Sequence, residues 1–283
     1  MRELDTIPDA PPPGLRFRRK VGLLASLRDL WRSRELVVTL TERELRVRYK
    51  QAILGVLWAL AQPLSLIVVF TVIFRHVTHV ETHGVPYALF SFMGLLAWNF
   101  FSSSVGNGGL ALFNNAAVLN RVYCPREVFP LASVGVAAAD AMTSLLALPV
   151  LFLATGYAPK ATSYWTPLLA LIQVSFTVAV TLIISAVVVQ VRDIRHALPI
   201  VIQVGLFATP VAFGIDNLRS PWLQVYAAAN PLVAVIDGYR RAVLLGTHPD
   251  WSLVLPAAAA SVLLLLAGIR LFKRLEGSFA DLI

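Results

Sequence analysis

The stretch RELRVRYKQAILGVLWALAQPLSL, residues 43–66, decides the fold. Four of its first eight residues are cations: Arg43, Arg46, Arg48 and Lys50. Charge then stops, because none of the 24 residues at 51–74 has a charged side chain. A helix of that length crosses the ~30 Å hydrocarbon core of a bilayer, and cations at one end mark the cytoplasmic side. The stretch therefore predicts a basic surface helix that leads directly into a membrane span.

The overall composition is that of a membrane protein. Hydrophobic residues make up 57% of the 283 positions and charged residues 14%, whereas soluble domains carry about 25% charge. The net charge of +8 is the excess expected of cytoplasmic loops, so no nucleic-acid partner is expected. Cys124 is the single cysteine, which excludes an intrachain disulfide and a thiolate metal cluster. We expect an all-α polytopic membrane protein without a metal site.

Six apolar runs, each with at most one charge, are long enough to cross the bilayer. They predict spans 1 to 6 at residues 53–74, 87–112, 128–155, 165–190, 198–215 and 252–269. Pro199 and Pro210 should interrupt span 5. The chain then divides into a basic tail (1–22), an amphipathic surface helix (23–50), a transmembrane domain (51–275) and a cytoplasmic tail (276–283).

Basic residues are distributed unevenly between the two predicted sides. Nineteen Lys and Arg residues lie on the side of the termini and five on the other. Because cytoplasmic loops carry the excess, we expect both termini in the cytoplasm and the chain in the cytoplasmic membrane.

The amphipathic surface helix has two apolar seams. Leu36, Leu40 and Val47 share one face, and Val38, Leu45 and Tyr49 share roughly the opposite face. Two interpretations remain open: a helix wedged between two surfaces, or an ordinary helix at the membrane interface.

Two further segments are apolar but too short to span. Residues 113–129 predict a short inner helix that Asn114 or Asn115 could cap. On the outer side, helices at 221–229 and 231–244 should each begin at a proline and stop at Gly246. We expect these two helices to form a hairpin that dips into the outer leaflet.

Catalytic and nucleotide-binding motifs are absent from the sequence. It has no GxxxxGKS or GxxxxGKT loop, so it does not bind ATP phosphates through that motif. Acids within the spans are too few for a proton relay. If the chain drives transport, it is not an enzyme by itself, and the energy must come from a separate subunit.

Four blocks resemble permeases of the ABC-2 type from polysaccharide exporters, in family order. They are RELRVRYKQAILGVLWALAQPL (43–64), VYCPREVFPLASV (122–134), RDIRHALPIVIQVGLFATPVAF (192–213) and NPLVAVIDGYRRAVLLG (230–246). The resemblance covers about residues 30–275 and is strongest to permeases that export O-antigen, teichoic acid and galactan.

The resemblance implies a homodimer with two cytoplasmic ATPase subunits that moves a polyprenyl-diphosphate-linked glycan outward. ATP and Mg would bind the partner subunits, and this chain would carry no cofactor. The helix at 34–50 would be a gate helix, and the outer hairpin an outer gate with Pro231, Asp237, Tyr239, Arg240 and Arg241. Contacts to the ATPase would come from two inner segments: Asn114, Asn115, Leu119, Asn120 and Arg121, then Arg192, Asp193 and Arg195.

Individual charged residues have alternative roles. Arg43, Arg46, Arg48 and Lys50 could bind a diphosphate, or they could only anchor the helix to lipid and set topology. Asp140 in span 3 should face protein or a pore, and we favour a tie to a Ser or Thr of a neighbouring helix. Asp237 should pair with Arg240 or Arg241, because they are three and four residues apart.

Aromatic side chains could line a path for sugars, although aromatic residues are also common in membrane helices and at interfaces. The candidates are Trp58, Phe70, Phe74, Tyr87, Phe90, Trp98, Phe207 and Phe213.

Three other functions compete with glycan export. The nearest is an ABC-2 permease for a drug or small lipid, and the short outer loops disfavour it. A membrane transferase that uses polyprenyl phosphate would need clustered acids to bind a metal ion. The inner loops contain only one acid each, Glu127 in one loop and Asp193 in another. Kinked spans and a re-entrant hairpin count against a structural scaffold.

Overall fold

The structure is a computed structural model that describes residues 33–50, 82–119, 124–215 and 222–279, together with residues 28, 31 and 65. Every regular element in these ranges is helical. The predicted tail 1–22 and span 53–74 lie outside the described residues, except for residue 65. Five site predictions also lie outside: Trp58, Phe70, Phe74, Asn120 and Arg121.

Nine principal helices form the described part of the chain. They are α1 (Arg34–Tyr49), α2 (Tyr87–Gly109), α3 (Val128–Leu145), α4 (Ala147–Thr155), α5 (Thr166–Gln190), α6 (Ile194–Ala208), α7 (Trp222–Ala229), α8 (Leu232–Tyr239) and α9 (Trp251–Leu275). Single-turn helices at Ala111–Asn114 and Ala116–Leu119 follow α2, and a 3₁₀ turn at Ala161–Trp165 precedes α5. A π-helix at Arg240–Leu245 extends α8, and a 3₁₀ turn at Glu276–Ser278 follows α9.

Four of the predicted spans are helices long and apolar enough to cross a membrane. They are α2, the continuous pair α3 and α4, α5 with its preceding turn, and α9. Predicted span 5 differs, because α6 has only 15 residues and ends at Ala208. Its length of about 22 Å is below the ~30 Å hydrocarbon core. Thr209 is extended and Pro210 follows, so residues 209–215 continue as a non-helical turn.

The segments between helices gather at two opposite ends. At one end, the Arg195 guanidinium lies 5.3 Å from the Phe113 ring centroid and that of Arg126 lies 5.8 Å from the Phe279 centroid. At the other end, Tyr157 donates a hydrogen bond to the Leu244 carbonyl, at 2.7 Å. Segments predicted to share a side therefore contact each other. We call the first end the inner end and the second the outer end.

Helices α2 and α5 form the centre of the bundle. Phe92, Leu95 and Trp98 of α2 are buried in a cluster that includes Phe176 of α5. Gln173 of α5 is also buried, and its amide donates to the Ala97 carbonyl of α2, at 2.9 Å. The Gln173 side-chain carbonyl accepts from the Tyr239 hydroxyl, also at 2.9 Å, which ties α8 to the same centre.

The segment after α9 is folded against the bundle. Phe279 is 1% exposed and meets Phe272 edge-to-face at 5.5 Å. Its hydrophobic cluster includes Leu112, Phe129 and Leu182. Residues 276–279, predicted to begin a cytoplasmic tail, thus complete the apolar core of the inner end.

Candidate functional site

Helix α1 lies along α3 from Ala132 to Asp140. Thr41 donates from Oγ1 to the Ala132 carbonyl at 3.2 Å, and the same side chain contacts Gly135. Arg48 and Tyr49 contact Asp140, so the contacts advance in the same direction along both helices. A Cβ on Gly135 would lie 2.6 Å from Thr41 Oγ1, so the close approach of the two helices requires glycine at 135 as long as threonine occupies 41.

The seams of α1 differ from the predicted pair. Leu40, Leu45 and Tyr49, drawn from both predicted seams, are half-buried and lie on one broad side. Leu36, Val38 and Val47 are exposed, at 37%, 55% and 74%. Within the described residues, α1 therefore rests on one surface, and a second contact surface for the wedged-helix interpretation is not seen there.

Asp140 binds the C-terminal end of α1. Its Oδ2 accepts from Arg48 Nη1 at 2.7 Å, and its Oδ1 accepts from the Tyr49 hydroxyl at 2.6 Å. Burial, followed by the interactions with Asp140, raises the pKa of Tyr49 to about 12, so this phenol stays a donor. The favoured Ser or Thr partner for Asp140 was therefore wrong. Spacing along the chain could not identify partners 91 and 92 residues away.

The four cations of the predicted headgroup site are divided between two faces of α1. Arg43, Arg46 and Lys50 follow an i, i+3, i+7 pattern, which places them within about 60° of one another on a helix. All three are exposed. Arg48 points to roughly the opposite side, toward α3, where Thr41 and Glu44 also lie.

Glu44 is a partly buried acid between α1 and α3. Burial raises its pKa, and the positive charges of Arg48 and Arg43 and a hydrogen bond with Ser133 oppose that rise. The side of α1 that contacts α3 is thus polar, with one acid from each helix and Arg48 between them.

The two predicted ATPase-contact segments meet at the inner end. Arg195 packs over Phe113, which directly precedes Asn114. Asn114, Arg192 and Asp193 are exposed, and Leu119 packs on the edge of the inner core. Asn115 lies at the break between the two single-turn helices, and its amide donates backward to the Ala111 carbonyl, at 2.9 Å. Asn115 therefore stands directly before the second of these helices, and its carbonyl accepts from the Leu119 amide at 3.1 Å.

A charged cluster at the inner end was not identified from the sequence. Lys273 Nζ lies 2.5 Å from Glu127 Oε1 and 3.1 Å from Glu276 Oε2. The Glu127 side chain is only 3% exposed, and burial raises its pKa against the opposing effect of Lys273. The sequence did single out Glu127 as a lone loop acid, but its partner is 146 residues further along.

The outer end contains the predicted hairpin. Helices α7 and α8 with the π-helix match the predicted pair of short helices, and Gly246 ends them with a positive φ of 76°. Asp237 pairs with Arg241, at 2.6 Å from Oδ2 to Nε. The Arg240 guanidinium lies 3.6 Å from the centroid of Phe90, within cation–π range.

Arg240 binds the non-helical turn that follows α6. It is 3% exposed, and it donates to the main-chain carbonyls of Pro210, Val211 and Phe213 at 2.8, 2.6 and 2.9 Å. A fourth bond reaches the Phe90 carbonyl, at 3.1 Å. One buried side chain therefore joins the hairpin, α2 and the turn. The π-helix that begins at this residue is the kind of distortion often found at functional sites.

Other side chains bind further acceptors in and beside the turn. Tyr226 donates to the Ala208 carbonyl, and Tyr87 to the Ala212 carbonyl at 3.0 Å. The Asn230 amide donates to Thr209 Oγ1 at 2.9 Å. Irregular backbone that is shielded from water needs such partners for its polar groups.

The aromatic candidates occupy different environments. Phe207 is 71% exposed on α6. Tyr87 and Phe213 are half-buried at the turn, where one donates and the other accepts a hydrogen bond. Phe90 and Trp98 are buried in the core. Among the described candidates, Phe207 is therefore the one whose ring is mostly open.

Comparison with known proteins identifies the family of the chain. The model of the family "ABC-2 type transporter" matches residues 35–244. The O-antigen export system permease protein RfbA of Myxococcus xanthus is 31% identical over 92% of this chain and 99% of its own length. RfbA of Klebsiella pneumoniae is 28% identical over 88% and 95%. The polysialic acid transport protein KpsM of Escherichia coli is 24% identical over 83% and 91%.

Proposed function

The chain belongs to the ABC-2 type transporter family, and from this we propose that it is the transmembrane subunit of an ATP-driven exporter of lipid-linked polysaccharide. One observation supports the cargo class above others: the 31% identity to an O-antigen export permease runs over 92% of the chain. The family match over residues 35–244 includes the Phe113–Arg195 contact at the inner end and the Arg240 contacts at the outer end.

We propose the following division of labour. Two copies of the chain form the pathway, and a cytoplasmic ATPase, in two copies, binds ATP and Mg. The ATPase docks at the inner end, on the surface that joins Phe113 and Arg195. The exposed Asn114, Arg192 and Asp193 surround that surface and supply polar contacts.

The cargo we propose is a polyprenyl-diphosphate-linked glycan destined for the cell envelope. Arg43, Arg46 and Lys50 share an exposed face and offer charge-assisted hydrogen bonds to phosphate oxygens. In this proposal Arg48 contributes less than the other three cations, because it is paired with Asp140 on the opposite side of the helix.

The hairpin is proposed as the outer gate. Arg240 holds it to the turn after α6, and Tyr239 holds it to Gln173 at the bundle centre. Outward passage of a sugar chain requires this end to open, and these two contacts are the ones that opening would break.

The test is the ATPase activity of the complex formed by this chain and its genomically neighbouring ATPase, reconstituted in lipid. We expect a 2:2 complex whose activity responds to polyprenyl-diphosphate-linked glycan. The same lipid without sugar, and the same sugar without lipid, should have weaker effects.

Two results would contradict the proposal. A response to small amphipathic drugs but not to lipid-linked glycan would assign the chain to drug or small-lipid transport. Turnover of polyprenyl phosphate by the chain without an ATPase would make it a transferase.

A further inference from the structure

Polar contacts set the rotation of α1 on α3. Helix α1 has no buried residue, so apolar packing alone does not fix which face it presents. Its hydrogen bonds do: Thr41 binds Ala132 near the start of the contact, and Arg48 and Tyr49 bind Asp140 at its end. Two points of attachment along one side of a helix prevent it from rolling.

Asp140 is the stronger of these attachments. Both carboxylate oxygens are used, one by the Arg48 guanidinium and one by the Tyr49 hydroxyl. The Asp140 side chain is 22% exposed and that of Arg48 is 40% exposed. Hydrogen bonds that involve ionised partners are shorter and stronger than neutral ones, and an acid within a span is costly unless paired. Asp140 therefore favours the arrangement in which Arg48 faces α3.

The contact with Asp140 also determines where the other cations of α1 point. Arg43, Arg46 and Lys50 lie on roughly the opposite side of the same helix, and all three are exposed. When Arg48 faces α3, this three-cation face is turned away from α3. If α1 rolled by half a turn, the three cations would face α3 instead.

We propose that Asp140 is a positioning residue for the anion site. By binding Arg48 and Tyr49, it fixes the rotation of α1, and it thereby presents Arg43, Arg46 and Lys50 to a phosphate ester outside the bundle. This inference rests on the proposed function for the identity of that ester, the diphosphate of the glycan lipid. The rotation itself does not depend on the cargo.

The rotation can be measured with a disulfide. An ideal Cβ on Gly135 lies 3.4 Å from the Thr41 Cβ, close to the Cβ separation of ~3.8 Å in disulfides. We would make Thr41→Cys with Gly135→Cys in a Cys124→Ser background, in the assembled complex, and follow cross-link formation under mild oxidation. Asp140→Asn should lower the rate of cross-linking by about 3–10-fold, in keeping with the coupling energies of contacting residues.

Exchanging the charges at positions 48 and 140 should rescue the cross-linking that Asp140→Asn lowers. Arg48→Asp combined with Asp140→Arg restores an ion pair between the same positions, so cross-linking should return. Glu42→Gln is the matched control, because Glu42 is an exposed acid on α1, and its change should leave the rate unchanged. Equal cross-linking in Asp140→Asn and the unmodified chain would overturn the proposal.

The second measurement is the glycan-lipid concentration that gives half-maximal stimulation of ATPase activity. Asp140→Asn should raise it about 3–10-fold and leave the maximal rate unchanged, because presentation of the cations is lost but the machinery is intact. The charge exchange should restore it. If the exchange restored cross-linking but not this concentration, Arg48 would itself be a phosphate ligand, and the positioning role would be wrong.

The two measurements separate this inference from the proposed function. If the unmodified complex failed to respond to glycan lipid, the proposed cargo would be wrong. Cross-linking would still decide whether Asp140 fixes the rotation of α1. If cross-linking were sensitive to Asp140 as expected, the positioning role would stand for another anionic ligand, and stimulation by anionic phospholipid vesicles would identify it.

Discussion

At the scale of single residues, Arg240 shows how a buried charge can support irregular backbone. Its guanidinium meets carbonyls of three turn residues and one α2 residue, and it also lies on the Phe90 ring. The carbonyl oxygens and the face of the ring all carry partial negative charge, so they stabilise the cation. A lysine could not replace it, because an ammonium has three donors on one nitrogen, whereas Arg240 uses three separate nitrogens to reach four carbonyls.

The space for this guanidinium is provided by Gly94, which gives the first stability prediction. A Cβ on Gly94 would lie 2.6 Å from the Val211 carbonyl oxygen and 2.9 Å from Arg240 Nη2. Gly94→Ala should therefore destabilise the protein by about 1–3 kcal/mol, the usual effect of overpacking. The measurement is thermal unfolding of the purified chain in detergent.

Gly106→Ala is the matched control on the same helix. The nearest atom to its added Cβ, Ile202 Cδ1, is 3.5 Å away, which is ordinary contact. Alanine is the better helix former, so this variant should unfold at the same temperature or higher. Equal losses for both variants would mean that general helix packing, rather than the contact with Arg240 and the turn, explains the glycines of α2.

At the scale of elements, Lys273 and Glu127 join the end of α9 to the start of α3. Their side chains are 13% and 3% exposed. Lys273→Met would leave the Glu127 carboxylate buried without its ammonium, which should cost about 3–5 kcal/mol. Adding Glu127→Gln should recover part of that loss. Unfolding midpoints of the two variants, compared with the exposed neighbour Arg274→Met, provide the measurement.

The Lys273→Met variant should also depend on pH. Burial already raises the pKa of Glu127, and loss of Lys273 removes an opposing effect. The folded state then holds its proton to a higher pH than the unfolded state does. The variant should therefore be least impaired at acidic pH and lose stability as pH rises through the raised pKa. A pH-independent loss would indicate that Glu127 is not the buried charge responsible.

Element boundaries were largely predictable from charge and from special backbone residues. Spans 2, 3, 4 and 6 lie between charged loops, and Pro231 and Gly246 bound the second half of the hairpin. The interruption predicted at Pro210 is confirmed, because α6 ends at Ala208, whereas the one predicted at Pro199 is wrong, because α6 continues through that residue. What was missed is that Arg240, Tyr87 and Tyr226 bind the carbonyls there. Those partners come from other elements, and no local pattern in residues 198–215 encodes them.

At the scale of the whole molecule, the arrangement of two ends predicts a labelling pattern. Lys160 lies in the outer-end loop and Asp193 in the inner-end turn, and both are exposed. Starting from Cys124→Ser, we expect Lys160→Cys to react with a membrane-impermeant maleimide in intact cells. Asp193→Cys should react only after permeabilisation, because the charge bias predicts that this end and both termini face the cytoplasm.

Labelling with the opposite polarity would reverse the predicted orientation, and labelling of both positions in intact cells would contradict a single orientation. Tyr164→Cys, exposed in the same loop as Lys160, serves as a second outer reporter.

The sequence predicted which residues form the candidate anion site on α1, but not how they are arranged around the helix. The sequence singled out Arg43, Arg46, Arg48, Lys50 and Asp140, and each lies on α1 or against it. The sequence could not show that Arg48 pairs with Asp140 of α3 while the other three cations are exposed on a different face of α1. That division depends on a contact between residues 92 positions apart, which helical periodicity does not report.

The burial of Phe279 has a consequence for biosynthesis. Helices inserted during translation reach the membrane in chain order, and every predicted span precedes this residue. Yet the inner core, with Leu112 from the segment after α2 and Phe129 from α3, includes Phe279. Ribosomes that stall after α9 would therefore release chains that contain every predicted span but lack Phe279. These chains would expose the apolar side chains that Phe279 covers at the inner end, a surface that quality-control proteases can recognise.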